Sequence, residues 1–163
     1  MTALLDEKIY DISYIERTKI FYRAQGYASD YNWAKNSSTP IARMVKNIAD
    51  CRVGLITTSM PDTETGRNRR DIYSVKSDPI PNSMYTDELS WDKTATHTKD
   101  VGSFLPIGAL RKAAKEGMIG EAATSFYTVP TDYSQRNTAE FDSPRLFENL
   151  IKDSIDVAIL VPL

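Results

Sequence analysis

Arg-Val-Gly-Leu-Ile-Thr-Thr-Ser, at residues 52–59, is the segment on which the fold of this 163-residue chain depends. It is short, apolar and rich in β-branched residues, and it lacks the alternation of apolar and polar residues found in a strand with one solvated face. Such segments are typical of strands covered on both faces, which occur mostly in the parallel sheets of α/β proteins. Ala123–Val129 is predicted to be a second strand, and Asp156–Pro162 (DVAILVP) a third one of the same buried type.

One helix is predicted before the first strand and two between the successive strands. Each has a capping residue or a proline at its start and apolar residues at helical spacing, and together they cover residues 39–48, 106–118 and 142–151. Strands that alternate with helices predict an α/β fold with an open, mostly parallel, Rossmann-like sheet flanked by helices.

The chain is expected to divide into an N-terminal arm, residues 1–38, and a single α/β domain, residues 39–163. The arm has a helical stripe of isoleucines that Gly26 ends, followed by an aromatic segment, Tyr27–Trp33, expected to pack on the main body. Residues 60–102 show no sustained period, which predicts a long irregular loop of the kind that is often functional. Val75 and Ile80 within it favour a short edge strand.

Composition excludes several classes of function. The chain has 20 basic and 22 acidic side chains, a net charge of -2, which argues against a general nucleic-acid binder. One cysteine and one histidine exclude an intrachain disulfide, a cysteine-based zinc cluster and a multi-histidine metal site, so no metal or cofactor is expected. The longest apolar run is far shorter than the ~20 residues of a membrane span, and the N-terminus lacks a basic signal region, so we expect a cytoplasmic protein that binds no membrane.

Ligands of open parallel sheets bind outside the carboxyl ends of the strands. Thr58 follows the first predicted strand, and the polar segment that contains Tyr133, Ser134 and Arg136 follows the second. Arg136 is a candidate clamp for a carboxylate or phosphate, although a solvated surface arginine is the alternative. His97 is a candidate base or hydrogen-bonding group if Asp92 or Asp100 orients its ring, and a surface or capping residue otherwise.

Other reactive or charged residues have simpler interpretations. Cys51 is expected to be a buried small hydrophobe and not a catalytic thiolate. The arginines of the segment Arg67–Arg70 form either an anion-binding patch or, as the charge balance favours, local pairs with Asp62, Glu64 and Asp71. The chain has neither the glycine pattern of a dinucleotide site nor a phosphate-binding P-loop.

Four motifs with a characteristic order and spacing resemble a known family: Val53–Thr58 (VGLITT), Phe104–Arg111 (FLPIGALR), Glu116–Gly120 (EGMIG) and Asp156–Pro162, with Ser90–Thr94 (SWDKT) before the second of them. The family is the selenoprotein B component of the glycine, sarcosine, betaine and D-proline reductases, and the short stand-alone members are the more similar. The resemblance covers the chain from about Trp33 to its last residue.

The resemblance implies reductive cleavage of a carbon–nitrogen bond by a selenolate or thiolate. In the family, the redox Cys or selenocysteine, in a CxxC-like motif, follows the strand that corresponds to Asp156–Pro162. We therefore expect the chain to be an α/β portion incomplete at its C-terminus, without catalytic residues of its own and inactive alone. Its substrate would be a small amine or amino-acid derivative, with the carboxylate held by Arg136 and hydrogen bonds from Tyr133, Ser134 and His97, beside Thr58. Partner reductase subunits or a homo-oligomer are expected.

An alternative follows from the terminal strand itself, because an apolar strand without a following helix needs a cover. A second chain can supply that cover, and the protein is then a non-catalytic α/β binding or assembly module that oligomerises through its exposed C-terminal strand. An ordinary hydrolase is the weakest alternative, since no GxSxG motif exists and one histidine would serve every role.

Overall fold

The structure is a computed structural model that describes residues 13–30, 35–39, 42–89, 96–131 and 134–163. The chain forms two compact units, Met1–Ile41 and Ala42–Leu163. The sequence motif Ser90–Thr94, together with Trp33, Pro40 and Ile41, lies outside the described residues.

The first unit contains helix α1, Tyr14–Ala24. Gly26 follows it with a φ of +90°, a left-handed conformation that glycine adopts without strain, so the predicted helix end is confirmed. The ring of Tyr22 makes edge-to-face contacts with Phe21 and Tyr27, at centroid distances of 5.6 and 5.5 Å. Phe21, Tyr22 and Tyr27 thus form a small aromatic cluster.

The second unit is an α/β structure whose elements follow in the order β1 Arg52–Thr57, β2 Met60–Pro61, α2 Glu64–Asn68, β3 Tyr73–Lys76, β4 Met84–Tyr85, α3 Ile107–Lys115, β5 Glu121–Ala122, β6 Ser125–Thr128, α4 Gln135–Asn137, α5 Ser143–Lys152 and β7 Val157–Val161. The described residues of this unit also form two 3₁₀ turns, Ile48–Asp50 and Val101–Ser103, and one π-helical turn, Thr138–Asp142.

Strand β1 lies at the centre of a mixed, mostly parallel sheet. It pairs in parallel with β7 along its whole length, and Val53 and Ile56 of β1 also pair with β5 and β6 respectively. Because one residue can pair with only one strand on each side, β5 and β6 lie on the side of β1 opposite β7. Strand β3 pairs antiparallel with β6 and forms the outer edge on that side. Strands β2 and β4 form a separate two-stranded sheet.

Both faces of β1 are covered, as its sequence predicts. On one face, Leu55 and Phe126 pack with Leu105 and Ile107 at the start of α3 in the hydrophobic core. On the other face, the Tyr127 hydroxyl donates to the Asp153 carboxylate after α5 at 2.6 Å. Gly54 permits this second layer, because a Cβ there would lie 3.3 Å from the Ile155 side chain.

Two sequence predictions are wrong. The described part of residues 39–48 is not an α-helix, and only the 3₁₀ turn Ile48–Asp50 forms. Met44, Val45 and Ile48, the described apolar residues of the predicted helical face, are exposed, Val45 by 97%, so their burial does not stabilise a helix that is too short to form alone. The terminal strand is not of the buried type, since Ile159 and Leu160 of β7 are 44% and 70% exposed.

The predicted loop 60–102 has more structure than its sequence indicates. It contains β2, α2, β3 and β4, elements of only two to five residues that are too short to produce a visible period. Val75 lies in the edge strand β3, as predicted, whereas Ile80 lies outside any strand.

The substitution Leu105→Ala tests the importance of the hydrophobic core for stability. The Leu105 side chain is fully buried, so we expect the substitution to lower the free energy of unfolding by about 2–5 kcal/mol. Met118→Ala removes an apolar side chain that is 63% exposed and should change it by less than about 0.5 kcal/mol. Urea unfolding measures both, and equal effects would contradict this core.

Asp156 links β7 to β1 and to the segment before it. Its carboxylate accepts hydrogen bonds from the Lys46 ammonium at 2.7 Å and the Arg52 backbone N–H at 2.9 Å. These contacts, Lys46 first, lower the pKa of Asp156 below its ordinary value. The folded state therefore gains stability above the ordinary pKa of about 4 and loses it as the pH falls through the lowered pKa.

We expect Asp156→Asn to be less stable than the wild type at neutral pH, with the difference shrinking on acidification. Urea unfolding over a pH series measures this difference, and Glu148→Gln, which removes an exposed carboxylate of α5, is the control. A difference that stays constant down to about pH 2 would show that the carboxylate charge is not the cause.

Candidate functional site

An open cleft of about 320 Å³ lies at the carboxyl end of β6. Its lining residues are Arg70, Pro130, Asn137, Phe141 and Asp142, and we call it the β6 cleft. Pro130 comes two residues after the last residue of β6, so the cleft lies where ligands bind in open α/β sheets. Its volume is at the lower end of the range for small-molecule sites.

A break in the helical segment after β6 shapes this cleft. Helix α4, the π-helical turn Thr138–Asp142 and α5 follow one another without interruption. Pro144 has no N–H to donate to the carbonyl four residues earlier, and its ring crowds that carbonyl. The chain accommodates the proline with a wider turn, of a kind frequent at functional sites. The turn supplies Phe141 and Asp142 to the cleft.

Arg70 lines the β6 cleft and also a second cavity, of about 20 Å³, beside Thr58 and Thr131. The second cavity has room for about one water molecule. Among the described residues, the acidic partner of the Arg70 guanidinium is Glu88, at 4.0 Å, the outer limit for an ion pair. Arg70 thus provides a positive charge at the rim of both cavities.

The two other arginines of this segment have closer partners. Arg67 Nε donates to the Asp62 carboxylate at 2.7 Å, and Arg69 lies 3.2 Å from Asp71. The predicted local pairing is therefore confirmed for these two. Asp71 also binds Arg145 of α5 at 2.7 Å. Burial opposes ionisation of Asp71, but the Ile72 N–H and Arg145 outweigh it and hold its pKa below the ordinary value.

The residues predicted from sequence do not form one cluster. Thr58 lines the small cavity, and its hydroxyl accepts the Leu163 N–H at 2.9 Å. Ser134 caps α4 through the Asn137 N–H, at 3.2 Å. Arg136 is largely exposed and donates to Glu140 at 2.9 Å.

His97 is exposed, and its Nδ1 accepts the Lys99 N–H at 3.4 Å. Asp100 accepts the Gly102 N–H at 3.1 Å and caps the adjacent 3₁₀ turn. Tyr133 and Asp92 lie outside the described residues. Neither His97 nor Arg136 is among the residues that line the two cavities.

Cys51 is buried, and its thiol donates to the Asn47 carbonyl at 3.2 Å, as expected for a structural cysteine. Within the described ranges, no group of three or more His, Cys, Asp or Glu side chains could hold a metal ion. None of the described helices combines the length and apolarity required to cross a membrane.

No family model, curated protein or solved structure matches this chain. The function of the chain is therefore inferred from the β6 cleft and from the sequence motifs.

Sequence reasoning missed Arg70, Phe141 and Asp142 as members of one site. Arg70 is far from the other two in sequence, and the charge balance favours local pairing over an anion-binding patch for its segment. Phe141 precedes the predicted third helix. The proline at position 144 was the one available signal, but it was interpreted as the start of a helix and not as the cause of a wide turn.

Thr128, at the end of β6, is fully buried, and its hydroxyl oxygen has no hydrogen-bond partner among the residues that the structure describes. A buried polar atom without a partner lowers stability. We expect Thr128→Val, which keeps the shape of the side chain, to raise the free energy of unfolding by about 1 kcal/mol. Thermal or urea unfolding measures this change, and a loss of stability would show that the hydroxyl makes a stabilising contact.

Proposed function

We propose that the unit Ala42–Leu163 binds a small amine or amino-acid derivative in the β6 cleft. We further propose that it is the substrate-binding, N-terminal portion of a cytoplasmic reductase of the kind that its sequence motifs resemble. The observation behind the proposal is that one open cleft, at the carboxyl end of a parallel strand, is lined by a cation, an anion and an aromatic ring: Arg70, Asp142 and Phe141.

The charges of these side chains suit a zwitterion. The guanidinium of Arg70 can bind a carboxylate through two parallel hydrogen bonds. The carboxylate of Asp142 attracts an ammonium group, and the exposed ring of Phe141 offers an aromatic face to a quaternary or protonated amine. A ligand with a carboxylate and an amine a few bonds apart would satisfy both ends of the cleft.

The arrangement of β1, β6 and β7 with α3 and α5 supports a Rossmann-like interpretation, in which substrates lie at this edge. The substrate contacts predicted for Thr58, His97, Tyr133, Ser134 and Arg136 remain predictions. Arg70 is the proposed anchor for the carboxylate because it lines the β6 cleft, and Arg136 is the competing candidate.

The resemblance supplies the proposed chemistry. A selenolate or thiolate from a segment encoded after Leu163 would act on the carbon–nitrogen bond of the bound amine. The role of the present residues is to hold and orient that substrate, and Cys51, which is buried, takes no part.

Isothermal titration calorimetry with glycine, sarcosine, betaine and D-proline tests the binding proposal. We expect Arg70→Gln to weaken binding at least about tenfold, because it removes the charge that pairs with the carboxylate. Arg136→Gln is the matched variant and should leave the affinity unchanged. The reverse result would transfer the anchor to Arg136, and no binding of any of the four compounds by the wild type would refute the proposal.

The reductase assignment has a separate test in the DNA. Translation of the reading frame beyond codon 163 should reveal a Cys codon, or a UGA codon for selenocysteine, in a CxxC-like context. If neither follows, the chain is not part of a reductase of this kind, whatever the β6 cleft binds.

A further inference from the structure

Strand β7 has one edge that no described residue pairs with, since its pairing partner is β1 alone. The Asp156 N–H donates to the Arg52 carbonyl at 2.9 Å. The backbone N–H and C=O groups of successive residues point to opposite sides of a strand. Ala158 and Leu160, like Asp156, thus direct their N–H and C=O groups toward β1. Val157, Ile159 and Val161 therefore direct their N–H and C=O groups away from the sheet.

Apolar side chains surround this free edge. Leu160 is paired in register with Ile56, which is paired with Tyr127. Paired residues of a sheet point to the same face, so Leu160 shares the face of Tyr127, which α5 covers. Phe147 and Ile151, one helical turn apart on α5, are more than half exposed.

The orientation of α5 places these two side chains away from β3. Arg145 binds Asp71, which precedes the edge strand β3 on the far side of the sheet. At about 100° per residue, Phe147 and Ile151 lie roughly 200° and 240° around the helix from Arg145. They therefore lie on the side of α5 opposite Arg145, away from β3. We call Phe147, Ile151, Ile159, Leu160 and the outer edge of β7 the β7 edge surface.

We propose that a second copy of this chain covers the β7 edge surface, with β7 antiparallel to β7 of the second copy around a two-fold axis at Ile159. The outward-directed residues are symmetric about Ile159, which a two-fold axis requires. Val157 then lies opposite Val161 of the second copy, and Ile159 lies opposite its own equivalent. Each of the three pairs exchanges two hydrogen bonds, and the two sheets become one continuous sheet.

The side chains and charges suit this self-pairing. Ala158 lies opposite Leu160 of the second copy, so a small residue faces the large exposed one. Residues 157–161 carry no charge, so the two copies of β7 bring no like charges together. The first charged residue beyond them, Asp156, is neutralised by Lys46 and would lie opposite the uncharged Pro162.

The expected contact area also requires α5. Interfaces have about one hydrogen bond per 100–200 Å², so six bonds correspond to roughly 600–1,200 Å², which is at or below the lower limit for a stable complex. A two-fold axis perpendicular to the sheet places both copies of α5 on the same face. The side of α5 that carries Phe147 and Ile151 then faces the same side of α5 in the second copy and adds the apolar area that a stable dimer needs.

Sedimentation velocity over a range of concentrations tests the proposal. We expect a dimer for the wild type and, for Leu160→Lys, dissociation at least about tenfold easier, because it places a charge in an apolar contact. Met118→Lys is the matched control, since Met118 is also exposed but follows α3, away from β7, and circular dichroism verifies that each variant folds. A wild type that stays monomeric, or equal dissociation of the two variants, would refute the proposal.

Cross-linking tests the register directly, because the natural Cys51 is buried. The two copies of residue 159 would have Cα atoms about 5.5 Å apart, within the range for a disulfide. Ile159→Cys should therefore form a covalent dimer on oxidation. Val157→Cys should not, since its two copies would be offset by about 13 Å along the strands. Efficient cross-linking by Val157→Cys, or none by Ile159→Cys, would contradict the two-fold axis, and a strand of a different protein on this edge would give the second result.

Discussion

The structure of the second unit depends on the complete enclosure of β1. Its backbone is paired on both sides, with β7 on one and with β5 and β6 on the other. Its two faces are covered by the core around Leu105 and by the segment after α5. Every feature argued above is positioned by this strand: the cleft lies at the carboxyl end of its neighbour β6, and the β7 edge surface begins one strand away from it.

Those parts of the fold that bury a long apolar pattern could be predicted from sequence. The apolar segment of β1 and the start of α3 were sufficient because burial of their residues forms the core. The helical period also predicted α5, although Phe147 and Ile151 of its apolar side are more than half exposed. The same reasoning failed at residues 39–48, where apolar spacing exists but the side chains meet solvent. It also failed at β7, since an apolar segment of five residues does not distinguish a central strand from an edge strand, and only the pairing partners do.

The candidate site was predictable in position but not in composition. The rule that ligands bind at the carboxyl ends of parallel strands indicates the region after β1 and β6, and the two cavities lie there. It does not reveal that Arg70 reaches the cleft beside residues of the π-helical turn, because that proximity depends on how α2 and β3 pass the sheet. The residues nearest to each strand in sequence, Ser134 and Arg136, instead make local contacts within their own helical segment.

The wide turn before Pro144 joins the part of the helical segment that lines the β6 cleft to the part that is anchored on the sheet. Residues after the proline are anchored, through Arg145 at the far edge of the sheet and Asp153 beneath the helix. Across the turn, the Ser143 N–H still donates to the Thr138 carbonyl, so the two parts stay joined. The part beside Phe141 is therefore tied to the anchored part by one backbone hydrogen bond fewer than in an uninterrupted α-helix, because Pro144 has no N–H.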